Sequence, residues 1–208
     1  MKRLAILGAS GHGKVVADAA ESAGWSDIVF FDDKWPELTL NGRWPVIGDS
    51  ASLLSEHSAF DGVVVAIGLN CIRLNKLGLL LSCGARLVSV VHPGATVSSY
   101  AVVGLGTVIM AGAVVNVDSR LGMGCIVNTC ASVDHDCFLA DGVHICPGAH
   151  LAGGVTVGQC SWVGIGASVR QYIRIGAGVV VGAGAAVVNE VSDQCTVAGI
   201  PARALNQS

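Results

Sequence analysis

The sequence predicts a two-part chain: a small α/β domain followed by a coil of short parallel strands wound on a triangular section. Three observations predict it. A six-residue aliphatic repeat runs from Val91 to Val187. Ahead of it, short apolar runs alternate with stretches of helical period. The composition suits close backbone stacking, because 52% of residues are hydrophobic and 28 are glycine, against four Trp, two Tyr and four Phe.

Residues 3–7 (Arg-Leu-Ala-Ile-Leu) read as a buried strand. Gly8-Ala9-Ser10-Gly11-His12-Gly13 follows, then a helical stretch from Lys14 to Ala23. Ile28 to Phe31 reads as a second strand, ending in Asp32-Asp33. Val63 to Ile67, between Gly62 and Gly68, reads as a third. A helix near Cys71–Cys83 and a strand near Arg86–Val90 complete the alternation. Strands alternating with helices imply a parallel, Rossmann-like α/β domain, here residues 1–90. The apolar stretch after Lys2-Arg3 breaks at Gly8, too early for a secretory signal. No segment has the roughly 18 unbroken apolar residues of a membrane span, so a soluble, cytoplasmic protein is expected.

A glycine-rich turn between a first strand and a helix is a phosphate cradle: the backbone can approach the ligand, and the helix N-terminus presents free N–H groups. An acidic pair at the end of the second strand suits a ribose hydroxyl. The spacing is G-x-x-G-x-G, not the dinucleotide G-x-G-x-x-G. A domain of this length also lacks room for a second mononucleotide half. A nucleotide-linked substrate is therefore favoured over a purely structural turn, and both over NAD.

In the repeat, every sixth position from Val91 to Val187 is Val, Ile or Leu, 17 in succession. The next residue is often Gly, as at Gly104, Gly122, Gly158, Gly164, Gly176 and Gly182. The residue four places on is often small, as at Ala113, Ser119, Ala131 and Ala149. A period of six is neither helical nor a plain strand alternation; fixed short periods mark solenoids. Three hexads close one coil, and coils stacked about 4.8 Å apart give a prism roughly 27 Å tall. This second domain occupies residues 91–208.

The net charge of −3, without runs of like charge, argues against nucleic acid or an anionic membrane as the main partner. The eight cysteines form no Cys-x-x-Cys pair. Cys125, Cys130, Cys137, Cys146, Cys160 and Cys195 lie in or just after the repeat, where Cys serves as a small buried hydrophobe. One stretch breaks the monotony: Asn128-Thr129-Cys130-Ala131-Ser132-Val133-Asp134-His135-Asp136. A histidine flanked by carboxylates suits a general base near neutral pH. His135 and Asp136 can touch only if the chain turns between them, since neighbouring strand residues point to opposite faces. Asp134 or a neighbouring subunit could otherwise supply the orienting carboxylate. His144 and His150 follow at nine and fifteen residues.

The chain resembles the bacterial hexapeptide-repeat sugar acyltransferases with an N-terminal nucleotide-binding domain. Within them it is similar to the N-acetyltransferases of UDP-4-amino-4,6-dideoxy sugars, as in bacillosamine synthesis, with sialic-acid O-acetyltransferases as relatives. The matching stretches are Gly8 to Gly13, Phe31-Asp32-Asp33, Ala66-Ile67-Gly68 with Asn70, Asn128-Thr129 through His135-Asp136, His144, and Gly199-Ile200-Pro201-Ala202. The resemblance spans nearly the whole chain. It implies a left-handed parallel β-helix, a homotrimer with active sites between subunits, acetyl-CoA as cosubstrate and no metal. It makes His135 the base, Asp136 the acid that raises its basicity, and Gly153 the donor of a backbone N–H to the acyl carbonyl. Asn128, His144, Gly153, Ile165 and Ala183 then contact acyl-CoA, with Ala183 standing where a relative has Gly. Ser10, Gly11, His12, Asp32, Asp33 and Gly68 form the nucleotide-sugar pocket. The implied reaction is acetyl transfer from acetyl-CoA to the C4 amine of such a sugar for surface glycan synthesis; sugar O-acetylation is the alternative. Two other classes are weaker: a zinc enzyme of γ-carbonic-anhydrase type using His135, His144 and His150, and a non-catalytic nucleotide-sugar-binding protein.

Overall fold

The computed structural model describes residues 2–205. Met1 and the last three residues of the expected second domain lie outside that range. The chain divides into two compact units, Met1–Pro93 and Gly94–Ser208, three residues beyond the expected boundary.

The first unit is a five-stranded sheet with helices. β1 (Arg3–Leu7), β2 (Asp27–Phe31), β4 (Trp44–Gly48) and β5 (Gly62–Val65) run parallel. β3 (Leu40–Asn41) pairs antiparallel with β4 at the edge, giving the order β3-β4-β2-β1-β5. Leu4 to Leu7, Ile28 to Phe31 and Val63 to Val65 are buried, as continuous apolar runs in a parallel sheet should be. The helices are α1 (Gly11–Ser22), α2 (Ser50–Glu56) and α3 (Asn70–Ser82).

Two boundaries differ from expectation. α1 begins three residues before Lys14, so Gly13 lies inside it. A side chain at Gly13 would strike the Gly8 carbonyl and lie 3.0 Å from Phe30 Cε1, so the helix closes onto the sheet only with glycine there. The strand expected at Arg86–Val90 shrinks to one bridge, Leu87 to Val63, and a two-residue strand at Val90–Val91. Its ladder stops because the Leu87 N–H turns back to the Ala85 carbonyl. β3, β4 and α2 were not expected.

The second unit is a three-sided parallel β-helix. Of the 17 repeat positions, the 16 from Val97 to Val187 lie in it, each the second residue of a two-residue strand, as is Val91 at the end of the first unit. Strands pair with those 18 residues away, as Val115 with Val133 and Val133 with Leu151. The first face carries Thr96–Val97, Val114–Val115, Ser132–Val133, His150–Leu151, Ser168–Val169 and Ala186–Val187. The second runs from Val102–Val103 to Arg174–Ile175. The third includes Val108–Ile109, Ile126–Val127, His144–Ile145, Trp162–Val163 and Val180–Val181. From Ile109 to Val187 every repeat aliphatic is buried, as are the small residues four places on.

The corners obey a rule of their own. The residue three after each aliphatic has a positive φ, from Gly106 through Gly184. Glycine fills most of these sites, but Asp118, Cys130, Asp136, Cys160 and Tyr172 take the left-handed conformation at φ 55–60°. This corrects the cysteine reading: Cys125, Cys137 and Cys146 are buried hydrophobes, whereas Cys130 and Cys160 are corner residues, and Cys195 is partly exposed. All eight are free thiols.

Candidate active site

Asp136 occupies one of those left-handed corners, at φ 58°. The turn brings two adjacent side chains together: His135 Nδ1–H donates to Asp136 Oδ2 at 2.7 Å. Asp136 is thus the orienting carboxylate. Asp134 does a different job, because its Oδ1 accepts the His135 backbone N–H at 2.8 Å. A carboxylate only accepts, so the neutral ring carries its proton on Nδ1 and its lone pair on Nε2. Nε2 has no protein partner among the described residues, and the side chain is 48% exposed. The hydrogen bond to Asp136 raises the His135 pKa above its ordinary value, against some lowering by desolvation, and the charges of Asp134 and Asp136 add to the rise.

Gly153 stands one coil above His135. A Cβ there would lie 2.5 Å from Nε2 and 3.1 Å from Nδ1, so the ring occupies space that only glycine leaves. The Gly153 carbonyl accepts from the Tyr172 N–H at 3.0 Å. Its own N–H is without a partner among the described residues, as an oxyanion donor requires.

Apart from Gly153, the expected acyl-CoA residues gather elsewhere, on the third face and the corner after it. Asn128 Oδ1 accepts the Thr129 N–H at 2.8 Å, which turns its Nδ2 toward His144 Nε2 at 3.1 Å. His144 is 4% exposed and packs against Trp162, with ring centroids 4.2 Å apart and the planes tilted by 57°. Ile165 and Ala183 are both exposed and lie one coil apart, the Gly184 N–H reaching the Ile165 carbonyl. The His135 corner follows the first face, and the third face lies across the prism from it. One chain therefore carries the expected residues in two separated groups, each a candidate half-site: His135, Asp136 and Gly153 in one, Asn128, His144, Ile165 and Ala183 in the other. His150 joins neither; its Nδ1 faces Ser132 Oγ at 2.8 Å. Among the described residues no three His, Cys, Asp or Glu side chains are placed to hold a metal ion.

The thiols of Cys137 and Cys146 are poorly suited to attack. Burial pushes Cys146 up to about 12 and raises Cys137 as well, and the thiolate is the nucleophile.

In the first unit all six expected pocket residues lie at the carboxyl ends of strands, where open α/β sheets bind ligands. Ser10, Gly11 and His12 follow β1, Asp32 and Asp33 follow β2, and Gly68 follows β5. Ser10 is the exposed N-cap of α1, and its side chain makes no capping bond. Both aspartates also serve the fold: Asp32 accepts from the N–H groups of Ala9 (2.7 Å) and Lys34 (3.0 Å). Asp33 accepts from Ser50 N–H at 2.9 Å and pairs with Lys76 at 3.3 Å. Its carboxyl is held below the usual range, first by the Ser50 side chain and, against some raising by desolvation, by the Ser50 backbone and Lys76.

Sequence reading missed Arg73, which is fully buried. It donates to the carbonyls of Ile67 (2.8 Å) and Gly68 (3.2 Å) and to Asn70 Oδ1 (2.9 Å), shaping the loop after β5. The signal was present, since Arg73 falls on the buried period of α3 with Asn70, Leu77 and Leu80. Burial first, and then the Arg73 charge, lower the His12 pKa to about 4, so His12 is neutral at neutral pH.

The chain is similar to several solved structures. The acetyltransferase domain of PglB from Neisseria gonorrhoeae FA1090, in complex with acetyl coenzyme A, is 45% identical. The match covers 98% of this chain and 99% of that one, with a TM-score of 0.95. The chain belongs to the hexapeptide-repeat sugar N-acetyltransferase family. PerB from Caulobacter crescentus, in complex with CoA and GDP-perosamine, is similar at 35% identity over 99% of this chain and 98% of that one, with a TM-score of 0.94. WeeI from Acinetobacter baumannii AYE follows at 28% identity, 99% and 100% coverage, and a TM-score of 0.89. The PglD N-terminal domain family matches residues 3–77. For a sugar N-acetyltransferase, the α/β unit, the corner histidine and the third-face half-site are the parts that need roles.

Proposed function

We propose that this chain transfers the acetyl group of acetyl-CoA to the C4 amine of a nucleotide-linked 4-amino-4,6-dideoxy sugar, with His135 as general base. The observation that carries this reading is the His135–Asp136 pair, its Nε2 free beneath Gly153. It stands in a scaffold that matches one structure holding acetyl coenzyme A and another holding CoA and GDP-perosamine. The latter acceptor carries an amine, which favours N- over O-acetylation.

The amine nitrogen attacks the thioester carbonyl carbon. His135 Nε2 takes the amine proton as the tetrahedral intermediate forms, and the negative charge moves to the carbonyl oxygen, facing the Gly153 N–H. Collapse breaks the C–S bond and CoA leaves as the thiol, taking the proton from the imidazolium. Asp136 holds the ring in the tautomer this needs and stabilises the imidazolium. The raised pKa of Cys137 and Cys146 supports direct transfer over an acyl-enzyme.

The two half-sites support a homotrimer in which the His135 corner of one subunit meets the His144 face of the next. Ser10, Gly11, His12, Asp32, Asp33 and Gly68 hold the nucleotide. The test is thiol release from acetyl-CoA against a UDP-linked 4-amino-4,6-dideoxy sugar and GDP-perosamine. His135→Ala should lower turnover by about two orders of magnitude or more without unfolding the protein; turnover within about threefold of wild type would remove the base assignment. Co-expression of His135→Ala with His144→Ala should restore activity in mixed oligomers if the site is shared. No recovery, from two variants each inactive alone, would place the whole site in one subunit.

A further inference from the structure

We propose that Asn116 and Asp134 form a positioning pair that holds the corner carrying His135, separately from the Asp136 that orients its ring. The proposal rests on His135 acting as the base. Asn116 lies one coil below Asp134, and its Nδ2 donates to Asp134 Oδ1 at 2.8 Å. The same oxygen accepts the His135 backbone N–H at 2.8 Å. Asn116 therefore reaches the base through one shared acceptor, without touching its ring.

Other bonds complete the grip. Ser119 Oγ donates to the Asp134 carbonyl at 2.5 Å and accepts the Cys137 N–H at 3.2 Å. The Asp136 N–H reaches the Val117 carbonyl at 3.1 Å, and the His135 carbonyl accepts from the Gly154 N–H at 2.9 Å. Among the described residues of the coil, a side-chain oxygen accepts the next residue's N–H at one other place, Asn128 to Thr129. That corner carries the other half-site. The device thus occurs once in each half-site, at the corner of the base and at the residue that faces His144.

The chemistry explains the need. His135 is half-exposed, on a corner whose next residue is non-glycine in a left-handed conformation. Asp136 fixes the ring relative to that corner, but only the coil below can fix the corner itself. A base must stay within about 0.5 Å of its working position, and an error of about 1 Å costs roughly 100-fold. The charged or titratable groups around the ring are Asp134 and Asp136. Asp118 and Tyr172 occupy the Asp136 corner column one coil below and two above.

The experiment compares Asn116→Ala, Asn116→Ser, Asp134→Ala and Asp134→Asn with wild type and His135→Ala. Readouts are kcat and KM for acetyl-CoA with the two amino-sugar acceptors above, NMR titration of the His135 ring, hydrogen exchange of the His135 amide, and thermal melting. Asn116→Ala, Asn116→Ser and Asp134→Ala should lower kcat about 10- to 100-fold with KM nearly unchanged, and speed His135 amide exchange about 10-fold. Asp134→Asn keeps an acceptor oxygen but drops the charge. It should hold kcat within about threefold while the His135 pKa falls. The pair is overturned if the folded Asn116 and Asp134→Ala variants keep wild-type kcat and amide exchange, or if Asp134→Asn loses as much kcat as Asp134→Ala. Unchanged activity in His135→Ala overturns the base reading itself. Should the chosen acceptors fail to turn over, titration and amide exchange still decide on the pair.

Discussion

Replacing Gly153 by Ala tests whether the space beside His135 matters to the chemistry. The added Cβ would sit 2.5 Å from Nε2 and 3.1 Å from Nδ1. Carbon against ring atoms settles near 3.5 Å, so the imidazole must retreat by about 1 Å. The ring is 48% exposed and can yield, whereas backbone could not. The retreat breaks the 2.7 Å bond to Asp136 and moves Nε2 off the line to the acceptor. A displacement of that size costs about 100-fold in turnover. The Gly153 N–H survives in Ala, so the loss reports on the ring and not on the oxyanion donor. The fold should be nearly indifferent, because φ at this residue is not in the left-handed region. The assay is steady-state thiol release beside a thermal melt and NMR titration of His135, whose pKa should fall toward the ordinary value. Wild-type kcat in folded Gly153→Ala would refute the argument.

Three further outcomes are expected. Asp136→Asn tolerates the left-handed corner but loses the charge, so the His135 pKa falls. In wild type, kcat/KM drops as pH falls through the raised His135 pKa, because imidazolium cannot take a proton; the variant's acid limb should lie at lower pH, and an unmoved limb would detach Asp136 from the base. His12 is neutral in the fold, with its pKa lowered from 6.5 to about 4, while the unfolded chain binds the proton from 6.5 downward. Stability should therefore decline between pH 6.5 and about 4, by roughly 3 kcal/mol from this residue, and His12→Gln should remove that share of the slope in urea melts at stepped pH. Leu139 is fully buried in the coil, so Leu139→Ala should cost about 2–5 kcal/mol in urea unfolding; a cost below about 1 kcal/mol would mean the interior is loosely packed.

The coil was legible because one physical demand recurs unbroken: each short strand must bury one aliphatic. The corners carried a less direct signal, because the most regular glycines are not the ones that turn the chain. Glycines beside the aliphatic, such as Gly104, stand where a Cβ would strike the backbone of the coil above. The conformational demand falls two residues later, where Gly shares the role with Asp and Cys. That displaced phase hid the reason why His135 and Asp136 can touch. In the α/β unit the buried strands β1, β2 and β5 stood out, whereas Trp44–Gly48 contains Pro45 and alternates in burial, and so carries little signal. α2 is short, yet Asp49 caps it by accepting from Ser52 N–H, a legible start that was passed over. Contacts between coils were out of reach. That Asn116 serves Asp134, and that Gly153 makes room for His135, becomes visible only once the 18-residue step is laid out as height.

That step also governs how such a chain can change in length. A whole coil inserted or lost leaves every remaining residue on its own face. Loss of a single hexad between His135 and Gly153 would bring Gln159 over the imidazole in place of Gly153 and turn everything beyond it by a third of a revolution. The same loss would leave the aliphatic interior intact, since all 17 inward positions are interchangeable in kind. A family built on this coil therefore tolerates six-residue slips as a scaffold but not as an enzyme, and working members should differ in height by steps of 18.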